Sequence, residues 1–169
     1  VPEGLKDLHI QVACDVNNFL TGPKGAAKVF GPQKGANEQQ VDELEGGLKN
    51  LDHQWQSHFG IKLENVPGAG AAGGLGAGAK AFLGAALKPG VDLVMDQVRL
   101  KDWLAETDLV ITGEGKLDDQ TIHGKVIHGV GNVANKAQVP VVALCGTLNA
   151  SEDIIRSLGL SYATSIIRE

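Results

Sequence analysis

The last third of the chain alternates apolar runs with amphipathic segments, and this alternation limits the fold more than any other feature of the sequence. Strand-like runs lie at residues 108–112, 139–145 and 162–167, and residues 126–137 and 152–158 between them have helical spacing. Strands joined by helical crossovers pair in parallel with right-handed connections. We therefore predict an α/β fold whose C-terminal half is a parallel, Rossmann-like βαβαβ unit.

The preceding part of the chain is less regular. Residues 8–14 alternate apolar and polar side chains, which predicts a strand, and residues 38–58 carry apolar side chains at helical spacing. Residues 67–78 are almost entirely glycine and alanine, and they lead into a helical pattern at 79–87. After Pro89, a second helix is expected over residues 91–104, and a long loop is expected to follow the strand at 108–112.

Glycine is unusually frequent in this sequence. It accounts for 23 of 169 residues, about double its usual share, and most of the excess lies between residues 60 and 90. We therefore expect two lobes that meet near residue 100. Residues 1–100 would form a glycine-rich α/β lobe, and residues 101–169 an incomplete Rossmann-like lobe.

Composition and charge exclude several classes of function. With 43% apolar and 21% charged residues the chain is typical of a soluble globular protein, and its net charge of -5 gives no general attraction to nucleic acid or anionic membranes. There is no apolar run of membrane-spanning length and no secretory signal profile. Cys14 and Cys145 lie in strand-like runs and are expected to be reduced, which favours a cytoplasmic location.

One glycine-rich stretch matches the dinucleotide-binding fingerprint in spacing. Gly68, Gly70 and Gly73 have that spacing, and Asp92 lies at about the distance expected for a ribose-binding acid. However, the fingerprint needs a hydrophobic strand running into its first glycine, and Pro67 and polar residues precede Gly68. Such a stretch can also bind an anion through free N–H groups or pack closely against another backbone. Dinucleotide binding, anion binding and close backbone packing therefore all remain open for this stretch.

Residues 112–125 carry the densest set of reactive side chains, and we interpret them as an active-site loop. Glu114 and Asp118 are candidates for metal coordination or for accepting a hydroxyl proton. Lys116 and Lys125 could neutralise phosphate charge, and Thr121 could form a hydrogen bond to a phosphate or metal. The alternative is a solvated loop that leads into a capped helix start.

A second polar cluster follows the predicted strand at residues 8–14. Asp15, Asn17, Asn18 and Thr21 could contact a ligand, or could equally form a turn stabilised by side-chain hydrogen bonds. Lys34 lies in a further loop and could belong to a basic rim for a phosphorylated ligand.

Taken in order, several segments resemble the bacterial glycerate kinases that use ATP. These segments are residues 14–18 with 20–23, residues 29–36, residues 67–78, and residues 112–118 with 120–121 and 123–125. Phe19 departs from the family, which usually has proline there. The chain is similar to the middle and later part of family members about twice its length, and their opening strand and final helix are not matched.

The resemblance implies a two-domain α/β protein with its active site between the domains, and it implies ATP and Mg²⁺. It implies phosphorylation of D-glycerate to phosphoglycerate at its 2- or 3-hydroxyl, with activity uncertain in a truncated chain. An NAD(P)-dependent oxidoreductase and a non-catalytic fragment that pairs with itself or with a missing half are the alternatives. The residues expected to take part in catalysis are Asp15, Glu114, Lys116 and Asp118. Those expected to bind substrate or nucleotide are Asn17, Asn18, Thr21, Lys34, Gly68, Gly70, Gly73, Gly74, Gly113, Gly115, Thr121 and Lys125. Glu114 and Asp118 are also expected to bind the metal.

Overall fold

The computed structural model describes residues 3–5, 7–118 and 125–167. It divides into two compact units, Val1–Gly90 and Val91–Glu169. The boundary between two lobes that the sequence places near residue 100 stays a prediction.

The first unit is mostly helical around a small parallel sheet. Its strands β1 (Gln11–Ala13) and β2 (Ala86–Lys88) pair in parallel, with Val12 opposite Leu87. Its helices are α1 (Ala26–Phe30), α2 (Glu38–Phe59) and α3 (Leu75–Leu83), with 3₁₀ turns at Glu3–Leu5, Pro32–Lys34 and Ala71–Gly73. Leu20, Trp55, Leu63, Ala69 and Ala77 form most of its buried core.

Helix α2 confirms the helical pattern expected over residues 38–58. It begins with a capping box, in which Asn37 and Gln40 each accept a hydrogen bond from the other's backbone amide. It ends at Gly60, whose φ of 68° is the left-handed conformation that glycine adopts readily. Its tryptophan Trp55 is buried in the core.

The second unit confirms the parallel βαβαβ prediction. Its strands β3 (Val110–Asp118), β4 (Val141–Asn149) and β5 (Tyr162–Ser165) form a parallel sheet in that order. Helices α6 (Lys125–Lys136) and α7 (Glu152–Ser157) connect them, after α4 (Gly90–Gln97) and α5 (Leu100–Leu104). Val141, Ala143, Cys145 and Ile127 lie in its buried core.

Two helix predictions were wrong in extent. The helix expected at 79–87 ends at Leu83, and Ala86–Lys88 is a strand, because its backbone pairs with β1. The single helix expected over 91–104 is two helices, since Arg99 adopts a left-handed conformation with φ of 54° between them.

Candidate functional site

The polar cluster after β1 is a loop held by backbone contacts within the first unit. The Asp15 Oδ1 atom accepts a hydrogen bond of 2.9 Å from the Gly90 amide. Asn18 Nδ2 donates to the Lys24 carbonyl at 3.1 Å, and its own carbonyl accepts from the Gly70 amide at 3.0 Å. Asp15 and Asn17 are exposed. The loop therefore presents a carboxylate and an amide to solvent from a fixed backbone.

Thr21, expected to bind a ligand, is instead buried at the end of this loop. It is 2% exposed, and its hydroxyl donates to Glu64 Oε1 at 3.3 Å. Glu64 also forms an ion pair of 3.3 Å with Lys62. The described contacts give Thr21 a role in holding the loop, and its role in ligand binding stays a prediction.

Sequence reasoning missed a buried glutamate that holds the same loop. Glu45 is 5% exposed, and its Oε1 accepts a hydrogen bond of 2.7 Å from the Gly22 amide. Lys49 lies 3.4 Å from the same oxygen, whereas Oε2 is buried with no hydrogen-bond partner among the described residues. Glu45 lies on the same helical stripe as Leu48 and Trp55, and an acid on an apolar stripe is the signal that could have identified it.

The glycine-rich stretch packs tightly against this loop at two of its glycines. A Cβ atom on Gly70 would lie 2.1 Å from the Phe19 carbonyl oxygen, and one on Gly68 would lie 2.9 Å from Cys14 Sγ. Gly68 also has a φ of +81°, which few side chains tolerate. The close Phe19 backbone therefore accounts for Gly70, and the left-handed φ together with the nearby Cys14 side chain accounts for Gly68, without a ligand.

Gly73 and Gly74 have left-handed φ values, but their surroundings differ. Nothing lies within 4 Å of a Cβ on Gly73, whereas one on Gly74 would contact Leu48 and Leu20 at 3.1 and 3.2 Å. No strand runs into Gly68 over residues 60–67, and Asp92 lies in the first turn of α4. The geometry that a dinucleotide fingerprint requires is therefore not formed.

A cavity of about 740 Å³ lies beside α2 and brings Lys34 and Gly73 together. Its walls come from α1, the 3₁₀ turn at Pro32–Lys34, and the middle of α2. The residues that line it are Ala26, Ala27, Phe30, Gly31, Lys34, Gly35, Ala36, Gln40, Glu43, Leu44, Gly47, Leu48, Leu51 and Gly73. Two of the residues expected to bind a ligand therefore line one cavity, although they lie far apart in sequence.

In the second unit, the segment expected to be a loop is a strand as far as Asp118, so the loop prediction was wrong, whereas its role in an active site stays a prediction. Strand β3 continues through residues 112–118, and its pairing with β4 extends from Val110 opposite Val141 to Asp118 opposite Asn149. A Cβ on Gly113 would lie 2.6 Å from the Leu144 carbonyl oxygen, whereas nothing lies within 4 Å of one on Gly115. Gly113 is thus explained by close approach of the neighbouring strand.

The charged residues of β3 fall into two environments. Lys116 Nζ lies 2.7 Å from Asp118 Oδ2, and the two side chains are 62% and 21% exposed. Glu114 is opposite Cys145 in the sheet, and its Oε2 is buried with no hydrogen-bond partner among the described residues. Burial raises the pKa of the Cys145 thiol, and the nearby Glu114 charge adds to the rise although a backbone hydrogen bond at Glu114 opposes it.

The described carboxylates fit Mg²⁺ only in a site that the substrate completes. No group of three His, Cys, Asp or Glu side chains among the described residues is placed to hold a metal ion. Mg²⁺ is usually held by one or two carboxylates plus substrate phosphates and water. Asp118 fits this arrangement because its carboxylate is partly exposed at the end of β3, whereas the buried Oε2 of Glu114 fits it less well. Their roles as metal ligands stay predictions.

Two candidates in the following segment cannot be placed by side chain. Thr121 lies outside the described residues, and Lys125 is described as the first residue of α6. Their roles in binding stay predictions.

The parallel sheets and their connecting helices define the class of protein as α/β, a class in which ligands commonly bind beyond the carboxyl ends of the strands. Comparison with known proteins narrows the class. A family model described as the glycerate kinase family matches residues 1–169. The chain belongs to the glycerate kinase family.

Individual relatives agree with the family model. The chain is 44% identical over 163 residues to the glycerate 2-kinase of Escherichia coli K12, covering 96% of this chain and 43% of that protein. It is 43% identical to the glycerate kinase of Halalkalibacterium halodurans, again over 96% of this chain and 43% of the relative. The chain thus spans less than half the length of these curated relatives.

A solved structure supports the fold. The chain is similar, with a TM-score of 0.85 and 42% identity, to a structure from Salmonella typhimurium LT2 assigned as a glycerate kinase 2. The match covers 99% of this chain and 43% of that one. No helix in the described part of the chain is both long and apolar enough to cross a bilayer.

Proposed function

We propose that this chain carries part of the active site of an ATP-dependent kinase that phosphorylates D-glycerate to phosphoglycerate. Family membership supports the reaction. The ion pair between Lys116 and Asp118 on β3 is the observation that supports assigning parts of the reaction to particular residues. A cytoplasmic location is part of this proposal and rests on the sequence.

Phosphoryl transfer requires positioning and charge neutralisation more than covalent chemistry by the protein. The Lys116 ammonium would stabilise negative charge on the transferring phosphate, and its 2.7 Å contact orients the Asp118 carboxylate. Mg²⁺ bound by Asp118 and the phosphates would supply further charge neutralisation. Asp118 is therefore proposed chiefly as a metal ligand.

Asp15 is the proposed general base for the glycerate hydroxyl. Its carboxylate is exposed, and the 2.9 Å bond from the Gly90 amide fixes one of its oxygens. A base must be held within hydrogen-bond reach of the proton it accepts, and a backbone-anchored carboxylate meets that need. The exposed Asn17 beside it would bind the substrate.

The activity can be tested with this chain's residues in a full-length context. In one experiment the chain replaces the matching 163 residues of the Escherichia coli glycerate 2-kinase. ADP release that depends on both D-glycerate and Mg²⁺ is expected from the chimera. A folded chimera with no such activity would contradict the proposal.

Single substitutions in the chimera test the residue roles. Asp15→Asn is expected to lower kcat by about 10²-fold or more, as for loss of a general base. Asp118→Asn is expected to raise the Mg²⁺ concentration needed for half-maximal rate. Asp96→Asn is the control, because Asp96 is exposed on α4, and it is expected to change neither quantity. Unchanged kinetics in the first two variants would remove these roles.

A further inference from the structure

The cavity beside α2 combines apolar walls with a few polar groups. Phe30 of α1 and Leu44, Leu48 and Leu51 of α2 line it, and Leu44 is 51% exposed. Lys34 and Glu43 also line it. Predominantly apolar walls with a small number of polar groups are the usual composition of a small-molecule site.

The size of the cavity restricts its occupant. At about 740 Å³ it lies within the range of about 300–1,000 Å³ typical of ligand and cofactor sites. It is larger than an occupant the size of glycerate needs. A purine ring has flat apolar faces and a hydrogen-bonding edge, and the nucleotide's phosphates require a cation. The leucine and phenylalanine residues, Glu43 and Lys34 among the lining residues offer these three complements, and Glu43 Oε1 also accepts a hydrogen bond of 3.0 Å from Gln39 Nε2.

The cavity also accounts for a glycine inside α2 that close packing does not explain. Gly47 lies within α2, where glycine costs about 1 kcal/mol relative to alanine, and a Cβ there would meet nothing within 4 Å. Gly73 lines the same cavity, and its left-handed φ of 73° accounts for glycine at that position. Residues 30–31 and 34–36, from one of the segments that carry the family resemblance, contribute another wall.

We propose that this cavity binds the adenine ring of the nucleotide, with Lys34 contacting its phosphates. The inference rests on the proposed kinase function and assigns one of its two substrates to a site within the first unit. The glycine-rich stretch then contributes through Gly73, and Gly68 and Gly70 shape the neighbouring loop.

Two adjacent glycines in one helix give a matched test. Gly47→Leu places a side chain into the cavity, whereas Gly46→Leu makes the same change one residue earlier, at a position that is equally open but does not line the cavity. Both substitutions favour the helix. Binding of ADP is measured by isothermal titration calorimetry without Mg²⁺, so that the result does not depend on the metal.

The proposal expects Gly47→Leu to weaken ADP binding by at least about tenfold and Gly46→Leu to leave it within about twofold. Adenosine is expected to compete with ADP. Lys34→Ala is expected to weaken ADP but not adenosine, with Lys28→Ala as the control because Lys28 is exposed and does not line the cavity.

Several outcomes would overturn the assignment. One is the absence of saturable ADP binding to the wild-type chain, and another is equal ADP affinity in wild type and Gly47→Leu. Displacement of ADP by pyrophosphate but not by adenosine would replace the purine site with an anion site. If Gly47→Leu changes only the oligomeric state, measured by light scattering, the cavity is a protein–protein contact site and the nucleotide assignment is wrong.

The kinase activity of the chimera separates this inference from the proposed function. If the chimera phosphorylates D-glycerate and Gly47→Leu leaves its KM for ATP unchanged, the cavity assignment fails and the function stands. If ADP binds in the cavity but the chimera transfers no phosphate to glycerate, the function fails and the nucleotide site stands.

Discussion

Replacing Gly70 with alanine tests whether the glycine-rich stretch exists for close packing. Gly70 has a φ of -77°, which alanine adopts without strain, so the only new feature is the Cβ atom. That atom would lie 2.1 Å from the Phe19 carbonyl oxygen. An ordinary contact is roughly 1 Å or more longer, so the Phe19 backbone must move.

The expected cost follows from overpacking a site whose neighbour is backbone rather than a flexible side chain. Such insertions typically cost about 1–3 kcal/mol. The movement also strains the 3.0 Å bond from the Gly70 amide to the Asn18 carbonyl. With a urea m-value of about 2 kcal/mol per M, a loss of about 2 kcal/mol lowers the unfolding midpoint by about 1 M.

Tryptophan fluorescence can follow unfolding of the first unit alone. Trp55 is 3% exposed in the core of that unit, whereas Trp103 in the second unit is 70% exposed. A Trp103→Phe background removes the second signal. Gly78→Ala is the control, because Gly78 lies within α3 with nothing within 4 Å of an added Cβ. There alanine is expected to stabilise by about 0.5–1 kcal/mol.

The two substitutions are therefore predicted to have opposite signs. If Gly70→Ala leaves the unfolding midpoint unchanged yet abolishes ligand binding, Gly70 serves a ligand and the packing argument is wrong. If Gly78→Ala destabilises as much as Gly70→Ala, the contact distances do not determine the cost.

Three further predictions concern other parts of the chain. Gly146→Ala should destabilise the second unit by about 1–3 kcal/mol, because its Cβ would lie 2.4 Å from the Gly115 carbonyl oxygen, whereas Gly115→Ala should be near neutral in urea unfolding. Glu45→Ala should cost about 1–3 kcal/mol by leaving the partly buried Gly22 amide without its acceptor, while Asp42→Ala at an exposed position should change stability by less than about 0.5 kcal/mol; equal costs would contradict this role. Burial raises the pKa of the Cys145 thiol above 9.0, so the protonated thiol contributes to the stability of the folded state below that pH, and this contribution is lost as the pH rises further. In a chain lacking the other cysteine, Ellman's reagent near pH 9 should label native protein much more slowly than urea-unfolded protein. Equal labelling rates would refute the burial argument.

The parallel unit could be predicted because its local signals agree with one another. Ser151 caps α7, Glu152 and Asp153 occupy its first turn, and Gly159 follows its end with a φ of 78°. Each of these favours the same helix boundaries that the apolar spacing gives. A fold can be predicted from its sequence where local and longer-range signals agree.

The sequence misled where pairing overrode local preference. Glycine and charged residues are depleted in strands, so the segment from Thr112 to Asp118 resembled a loop. Its backbone nevertheless pairs with β4 as far as Asn149. In the same way Ala86–Lys88 has helix-forming side chains but pairs with β1. Such pairing partners are distant in sequence, and local propensity does not contain them.

The candidate site also has one part that local sequence predicts and another that depends on contacts between distant residues. Lys116 and Asp118 could be chosen from residue type, and their 2.7 Å contact follows from two-residue spacing on a strand. The cavity that joins Lys34 to Gly73 could not be predicted, because it exists only once α1 and the middle of α2 are placed side by side. Glu45 was missed because its hydrogen-bond partner, the Gly22 amide, lies 23 residues away in the sequence.

The strand assignment changes the argument for the residues that first suggested catalysis. A charged pair on a flexible loop would have to be ordered by its ligand, at an entropic cost. Lys116 and Asp118 instead lie on backbone that is hydrogen-bonded to β4, opposite Thr147 and Asn149. Sites built on strands hold their geometry more precisely than sites on loops. A phosphoryl-transfer site depends on such positioning, so the loss of the expected loop strengthens the case for these two side chains.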